Sequence, residues 1–192
     1  MALPRHLEYT TLPTPFGEFT AVWSADDMVV RASGFSDVAD IRRMLPRGER
    51  RLPIERRDDD TPVRRAVTAH LDRDPAAFDD LRVSQPGSPF FQSCWASLRS
   101  TGPGERISFR DLAKRSGRPR AVRTARKACA ANRIVWIVPC HRAVRPDGRP
   151  GQYRFGVSTR LTLLDWEAGR LGGDAGGVSE EARGRERRRR RR

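Results

Sequence analysis

Cysteine is scarce in this chain. Cys94, Cys129 and Cys140 are the only three among 192 residues, an odd number with no paired spacing. That argues against a disulfide framework and for a reducing compartment. There is no Cys-x-x-Cys pair, and the only histidines, His6, His70 and His141, stand far apart. No metal site is therefore expected. Lysine is nearly missing as well, with Lys114 and Lys127 the only two. No apolar run approaches the roughly 18 residues that a membrane span needs. Met1-Ala2-Leu3-Pro4-Arg5 lacks the apolar core of a signal peptide. The expectation is a soluble, cytoplasmic protein of one ordinary domain or two small ones.

What is abundant is arginine. The net charge is +14. The stretch 179–192 carries eight arginines against Glu180, Glu181 and Glu186, so most of the excess lies in the body of the chain. Arginine is dense from Arg106 to Arg133, which reads either as a polyanion-binding face or as the arginine bias of a G+C-rich genome.

Three zones precede a tail. In the first, Tyr9-Thr10-Thr11-Leu12, the run from Gly17 to Trp23 and Met28-Val29-Val30-Arg31-Ala32 look like hairpin strands, with a turn at Thr14-Pro15-Phe16-Gly17. Residues 37–45 and 62–71 read as helices with acidic or threonine starts, and 72–89 as a connection. The second zone, 88–131, is predicted helical. Ser88-Pro89 opens a helix with the apolar stripe Phe90, Phe91, Trp95 and Leu98, and Gly102-Pro103-Gly104 ends it. Ser108, with Asp111 three residues on, caps a second helix. Gly117-Arg118-Pro119 turns into a third, over 120–131. Two short helices joined by a glycine turn fit a helix-turn-helix or an ordinary helical hairpin. In the third zone an apolar, strand-like run at 134–138 leads to the segment around Cys140. A turn at Pro146-Asp147-Gly148 follows, then a helix from Ser158 to about Ala168. The Gly- and Arg-rich tail is expected to be disordered. The predicted class is α/β (α+β): a small sheet-and-helix domain (1–85), a helical, helix-turn-helix-containing domain (86–169), and the tail (170–192).

Pro139-Cys140-His141-Arg142 is the most informative stretch. Thiolate is the reactive form of cysteine, and only a few per cent of a thiol with a pKa of about 8.5 ionises at pH 7. A neighbouring imidazole is a common way of generating it. A buried cysteine packing as a small hydrophobe is the alternative on these residues alone.

These features together resemble the O6-alkylguanine-DNA alkyltransferases (methylated-DNA–protein-cysteine methyltransferases). The chain is most like the C-terminal half of the bacterial adaptive-response protein. The resemblance rests on Pro-Cys-His-Arg after an apolar run, Asn132 eight residues earlier, Ala128-Cys129-Ala130-Ala131-Asn132, Gly151-Gln152-Tyr153 with Arg154-Phe155-Gly156-Val157-Ser158, and Glu167 closing the last helix. It spans roughly 7–169 and is strongest from 91 to 167. It implies a winged-helix-like domain that docks in the minor groove of double-stranded DNA and rotates an O6-alkylguanine out of the stack. By the same resemblance Cys140 takes the alkyl group irreversibly, one lesion per molecule, without cofactor or metal. His141 is implied as its base through a bridging water, and Glu167 as the group that orients His141. Arg123 fills the vacated place in the stack, Asn132 is a hinge, and Tyr153 and Arg154 form the loop over the guanine. Pro139 and Arg142 are structural, with Arg142 holding neighbouring carbonyls. Arg110, Arg118 and Arg120 are assigned to phosphates, each against the alternative of a solvated charge. A bacterial monomer, nucleoid-associated when bound, is implied.

Two positions depart from the family. Phe109 stands where a tyrosine is usual, keeping the ring and losing a hydroxyl donor. Arg126-Lys127 replaces small residues on the groove-facing helix. Cys94 and Cys129 are expected in the core. Two other readings are a non-enzymatic alkyl-lesion-binding protein and a helix-turn-helix regulator. The intact Cys140, His141 and Glu167 weigh against the first, and the lack of a visible regulatory domain against the second.

Overall fold

The computed structural model describes residues 4–145, 148 and 151–171. The expected tail falls almost wholly outside these residues, as does the expected turn at Pro146-Asp147-Gly148 except for Gly148.

The first half is built on a four-stranded sheet. β1 (Leu7–Thr14) and β2 (Gly17–Ser24) form a hairpin paired from Leu7–Ser24 to Thr14–Gly17. Its two-residue turn relies on Gly17, at φ 114°, while the Thr14 hydroxyl donates to the Gly17 carbonyl (2.6 Å). β3 (Val30–Gly34) lies antiparallel to β2, and β4 (Ile54–Arg56) parallel to β1, giving the order β3-β2-β1-β4. α1 (Val38–Met44) and α2 (Pro62–Leu71) start where their caps dictate. Asp37 accepts the Asp40 N–H (2.9 Å), and Thr61 accepts that of Arg64 (3.2 Å) ahead of Pro62.

The second half is mainly helical. In α3 (Pro89–Arg99), capped by Ser88, the face Phe90, Cys94, Trp95 and Leu98 is buried. α4 (Phe109–Arg115) begins at Ser108, whose Oγ accepts the Asp111 N–H (3.0 Å) and donates to the Asp111 carboxylate (2.6 Å). The box thus closes on the hydroxyl rather than on the Ser108 N–H. Gly117, at φ 83°, then turns the chain into α5 (Val122–Ala131), completing the helix-turn-helix. β5 (Ile107–Ser108) and β6 (Ala143–Val144) form a two-stranded parallel ribbon beside it, and α6 (Val157–Glu167) closes the fold.

The apolar run 134–138 corrects the expectation of a strand. All five residues are buried, but they form isolated bridges, Ser33–Ile134 and Val135–Val138, around Trp136 at φ 78°. The Val138 N–H reaches back to the Ile134 carbonyl (2.8 Å), so the run is a folded-back turn docked on the edge of β3. The cause is the packing of Trp136. Its ring is wedged among Phe16, Phe19, Phe35, His70 and Phe78, with centroids 4.9–5.5 Å away. This contact ties the sheet to the helical half within one continuous apolar cluster. Among the described residues no helix is long and apolar enough to cross a membrane.

Candidate active site

Reversal of the chain at 134–138 returns Cys140 to the end of α5. Cys140 opens a single 3-10 turn, Cys140–Arg142, entered through Pro139, whose carbonyl accepts the Arg142 N–H (3.1 Å). The thiol lies in the wall of a cavity of about 570 Å³, alongside Phe109, Cys129, Asn132, Tyr153 and Arg154. That size is within the range of small-ligand sites. Arg126, Arg145 and Arg160 also line it, so the cavity is cationic.

Asn132 is only 1% exposed. It caps the end of α5, and its Nδ2 donates to Cys140 Sγ (3.2 Å) and to the Val138 carbonyl (2.9 Å). The whole amide is thus spent inside the protein, at the junction between α5 and the cysteine turn where a hinge is expected. Burial pushes the Cys140 thiol above its usual range, opposed by the Asn132 N–H and the charges of Arg160 and Arg154. Burial likewise pushes the His141 imidazole down, against the pull of Glu167. The resting pair is thus thiol and neutral imidazole, not the ready-made thiolate that the Cys-His adjacency suggests.

Behind the cysteine, His141 Nε2 lies 2.8 Å from Glu167 Oε1, with both side chains fully buried. Among the described residues the buried His141 Nδ1 has no hydrogen-bond partner. The Glu167 carboxylate also accepts Arg142 Nη2 (2.7 Å), Arg142 Nε (3.1 Å) and the Gly104 N–H (3.2 Å). Burial alone would raise its pKa, but His141 and Arg142 hold it well below the usual carboxylate range. Arg142 also donates to the Thr101 carbonyl. It was expected to hold carbonyls; it holds one, and spends the rest of its fork on Glu167.

Cys140, Phe109, Asn132, Tyr153 and Arg154 therefore converge on one cavity, and His141, Arg142 and Glu167 form a buried cluster behind it. Arg154 donates to the Ala130 carbonyl (3.0 Å), pinning its loop to α5. Among the described residues the buried Tyr153 hydroxyl has no hydrogen-bond partner. Arg110, Arg118, Arg120 and Arg123 are exposed on the helix-turn-helix and are not part of the cavity lining. Cys94 is fully buried, as expected. Cys129 is not: it is half-buried and lines the cavity, which corrects its assignment to the core. Arg126 places its guanidinium 5.2 Å from the Phe109 ring centre.

Two residues were missed. Arg160, only 2% exposed, donates to the carbonyls of His141 (3.1 Å), Gly151 (3.2 Å) and Ala143, bracing both the cysteine turn and the tyrosine loop. Its signal was available, because it shares the buried face of α6 with Leu163, Leu164 and Glu167. Gln85 bonds Asn132 and Arg133 from the connection before α3, where no periodicity marks it. Among the described residues no group of three or more His, Cys, Asp or Glu could hold a metal ion.

Residues 89–183 match the family model described as the DNA-binding domain of 6-O-methylguanine DNA methyltransferase. The bifunctional transcriptional activator/DNA repair enzyme Ada of Escherichia coli is 48% identical over 82 residues, 43% of this chain and 23% of that protein. The human methylated-DNA–protein-cysteine methyltransferase is 33% identical over 105 residues, 51% of each chain. The chain thus spans 23% and 51% of the lengths of these two relatives. The crystal structure of Mycobacterium tuberculosis OGT in complex with DNA superimposes with a TM-score of 0.67 at 23% identity, over 86% of this chain and 96% of that one, which establishes the shared fold.

Proposed function

We propose, from the match of residues 89–183 to the model of the 6-O-methylguanine DNA methyltransferase DNA-binding domain, that this protein removes alkyl groups from O6-alkylguanine in double-stranded DNA by transferring them to Cys140. The observation that carries the reading is the Cys140 thiol in the wall of a cavity of about 570 Å³, with an amide N–H on its sulfur and His141, paired with the buried Glu167, next in the chain.

The exposed Arg110, Arg118 and Arg120 supply phosphate contacts, and Arg123 takes the place of the guanine rotated out of the minor-groove side. Tyr153 and Arg154 cover the guanine once it occupies the cavity. The thiol proton passes through a bridging water to His141 Nδ1, the ring nitrogen with no partner among the described residues. The imidazolium so formed is stabilised by Glu167 at Nε2. Cys140 Sγ attacks the alkyl carbon, the S–C bond forms as the C–O6 bond breaks, and the electron pair stays on the guanine, which then takes a proton from water. The thioether has no hydrolysable bond, so each molecule acts once. A tyrosine hydroxyl at position 109 would hydrogen-bond the departing base; Phe109 cannot, and the step is correspondingly slow.

The test is the intact mass of the protein after incubation with duplex DNA bearing one O6-methylguanine, with Cys140→Ala in parallel. A gain of about 14 Da, saturating at one per molecule and absent from the variant, is expected for a single covalent transfer. A second reading, lesion binding without transfer, is favoured by Phe109, whose ring has no hydroxyl to offer a departing base. Tight lesion binding with no mass gain would establish it instead.

A further inference from the structure

We propose that Gln85, in the connection ahead of α3, is a positioning residue for Cys140: its side chain locks Asn132 in the orientation that aims an amide N–H at the sulfur. The inference deepens the alkyl-transfer reading and rests on it.

Backbone groups set every amide in the relay. Gln85 is 6% exposed. Its Oε1 faces the Arg133 N–H (2.7 Å), which can only donate, so Nε2 must be the end that meets Asn132 Oδ1 (3.0 Å). Asn132 Oδ1 also accepts the Ile134 N–H (3.0 Å). Both hydrogens on Nδ2 are thereby directed away, one to the Val138 carbonyl (2.9 Å) and one to Cys140 Sγ (3.2 Å). The two acceptor positions and two donors of Asn132 are all used. Gln85 is anchored in turn, because its carbonyl accepts Gln92 Nε2 of α3 (2.8 Å). The relay runs from α3 through Gln85 and Asn132 to the sulfur. Without the Gln85 side chain the Arg133 N–H loses its partner, and Asn132 keeps one of its two restraints on Oδ1.

The amide N–H stabilises negative charge as it develops on sulfur, so its aim is felt in the thiol's acidity. The other ionisable groups around Cys140 are His141 beside it, Arg160 of α6, Arg154 and Tyr153 of the loop, Arg145, and Cys129 and Arg126 of α5. Among the described residues none of these hydrogen-bonds to Gln85, whose partners are Asn132, Arg133 and Gln92. Substitution of Gln85 by an uncharged residue therefore reaches Cys140 through Asn132.

The experiment is the pH profile of Cys140 alkylation by iodoacetamide, read on the Cys140 peptide by mass spectrometry, for the wild type, Gln85→Met, Asn132→Ala and the double variant. Gln85→Met is expected to raise the midpoint by about one unit, which is about tenfold slower alkylation at pH 7. In the Asn132→Ala background the same change should leave the midpoint where Asn132→Ala put it. A merely structural role would lower the melting temperature and leave the midpoint in place. An unmoved midpoint in the Asn132-containing protein, or an equal shift in both backgrounds, overturns the proposal. If Gln85→Met does not fold, Gln85→Asn, too short to span both partners, is read in the same way. Iodoacetamide needs no DNA, so the two readings fail separately. A shifted midpoint without methyl transfer from O6-methylguanine overturns the proposed function, and methyl transfer with an unmoved midpoint overturns the role of Gln85.

Discussion

Replacing Glu167 by glutamine tests the buried cluster behind Cys140. In the wild type one carboxylate, fully buried, accepts from His141 Nε2, from two nitrogens of Arg142 and from the Gly104 N–H. Glutamine keeps the shape and offers one acceptor oxygen. If that oxygen stays on Arg142 and Gly104, the new NH2 faces His141 Nε2, which must then be the acceptor. The imidazole is forced into the tautomer with its hydrogen on Nδ1, where it can no longer take the thiol proton. Loss of the correct tautomer in an analogous nucleophile–His–Asp triad costs about 10⁴-fold in rate, and a loss approaching that is expected here. The charge of Arg142, whose side chain is 7% exposed, is also left without its counter-ion. Removing one partner of a buried pair costs about 3–5 kcal/mol, a large part of the roughly 5–15 kcal/mol that a domain has. At about 2–4 °C per kcal/mol for a chain of this size, the melting temperature should fall by roughly 6–20 °C. The pH dependence carries a second signature. Because the folded carboxyl titrates well below its ordinary 4.5, it contributes stability above that pH and loses it as pH falls towards the folded value. That acid limb should be missing from Glu167→Gln. Urea unfolding at several pH values and single-turnover transfer from O6-methylguanine DNA measure both effects. A loss below about 1 kcal/mol together with an unchanged rate would refute the cluster's assigned role.

Other substitutions probe separate parts of the molecule. His70 is buried with no close hydrogen-bond partner at either ring nitrogen among the described residues, and burial depresses its pKa from 6.5 to about 4. Its contribution is complete above pH 6.5 and declines as pH falls to about 4, by up to about 3 kcal/mol. His70→Phe should flatten stability over that window, and an unaltered slope would show that another group titrates. Phe109→Tyr restores a donor at the cavity wall and should speed transfer by up to roughly 10²–10³-fold in rapid-quench assays, whereas an equal or lower rate removes the explanation. Arg118→Ala and Arg120→Ala should each reduce the slope of log affinity against log salt by about 0.9 with single-turnover transfer at saturating DNA intact; a slope that stays put means solvated charges.

What was legible in the chain was what is local. Asp37, Thr61, Ser88 and Ser108 mark helix starts because a cap acts within three residues. The hairpin at Thr14 to Gly17 is legible for the same reason. β4 was not seen, since Ile54–Arg56 is short and paired with β1 residues 47 positions away, Leu7 with Ile54 to Tyr9 with Arg56. The run 134–138 was misread as a strand, because a segment buried on all sides has no polar face to reveal its period, and nothing in its composition announces a left-handed tryptophan. The site divides the same way. Cys140 and His141 are adjacent and suggested nucleophilic chemistry unaided, whereas Asn132 and Glu167 entered through family resemblance, the latter 26 residues from its histidine partner.

Local adjacency also misjudged the electrostatics. Cys140 beside His141 implies an activated thiolate, yet burial keeps the thiol protonated and the imidazole neutral. A neutral resting pair suits the single alkyl transfer proposed for Cys140. A standing thiolate would be spent on any soft electrophile, while a buried thiol with an amide N–H already aimed at it is activated only as its proton leaves towards His141. The groups that hold this geometry, Glu167 with Arg142, Arg160, and Gln85 with Asn132, bond main-chain atoms of the cysteine turn and its neighbouring loops. The same bonds serve stability and acidity together. Only readouts that separate the two, a pH midpoint against a melting temperature, can assign a residue to chemistry rather than to folding.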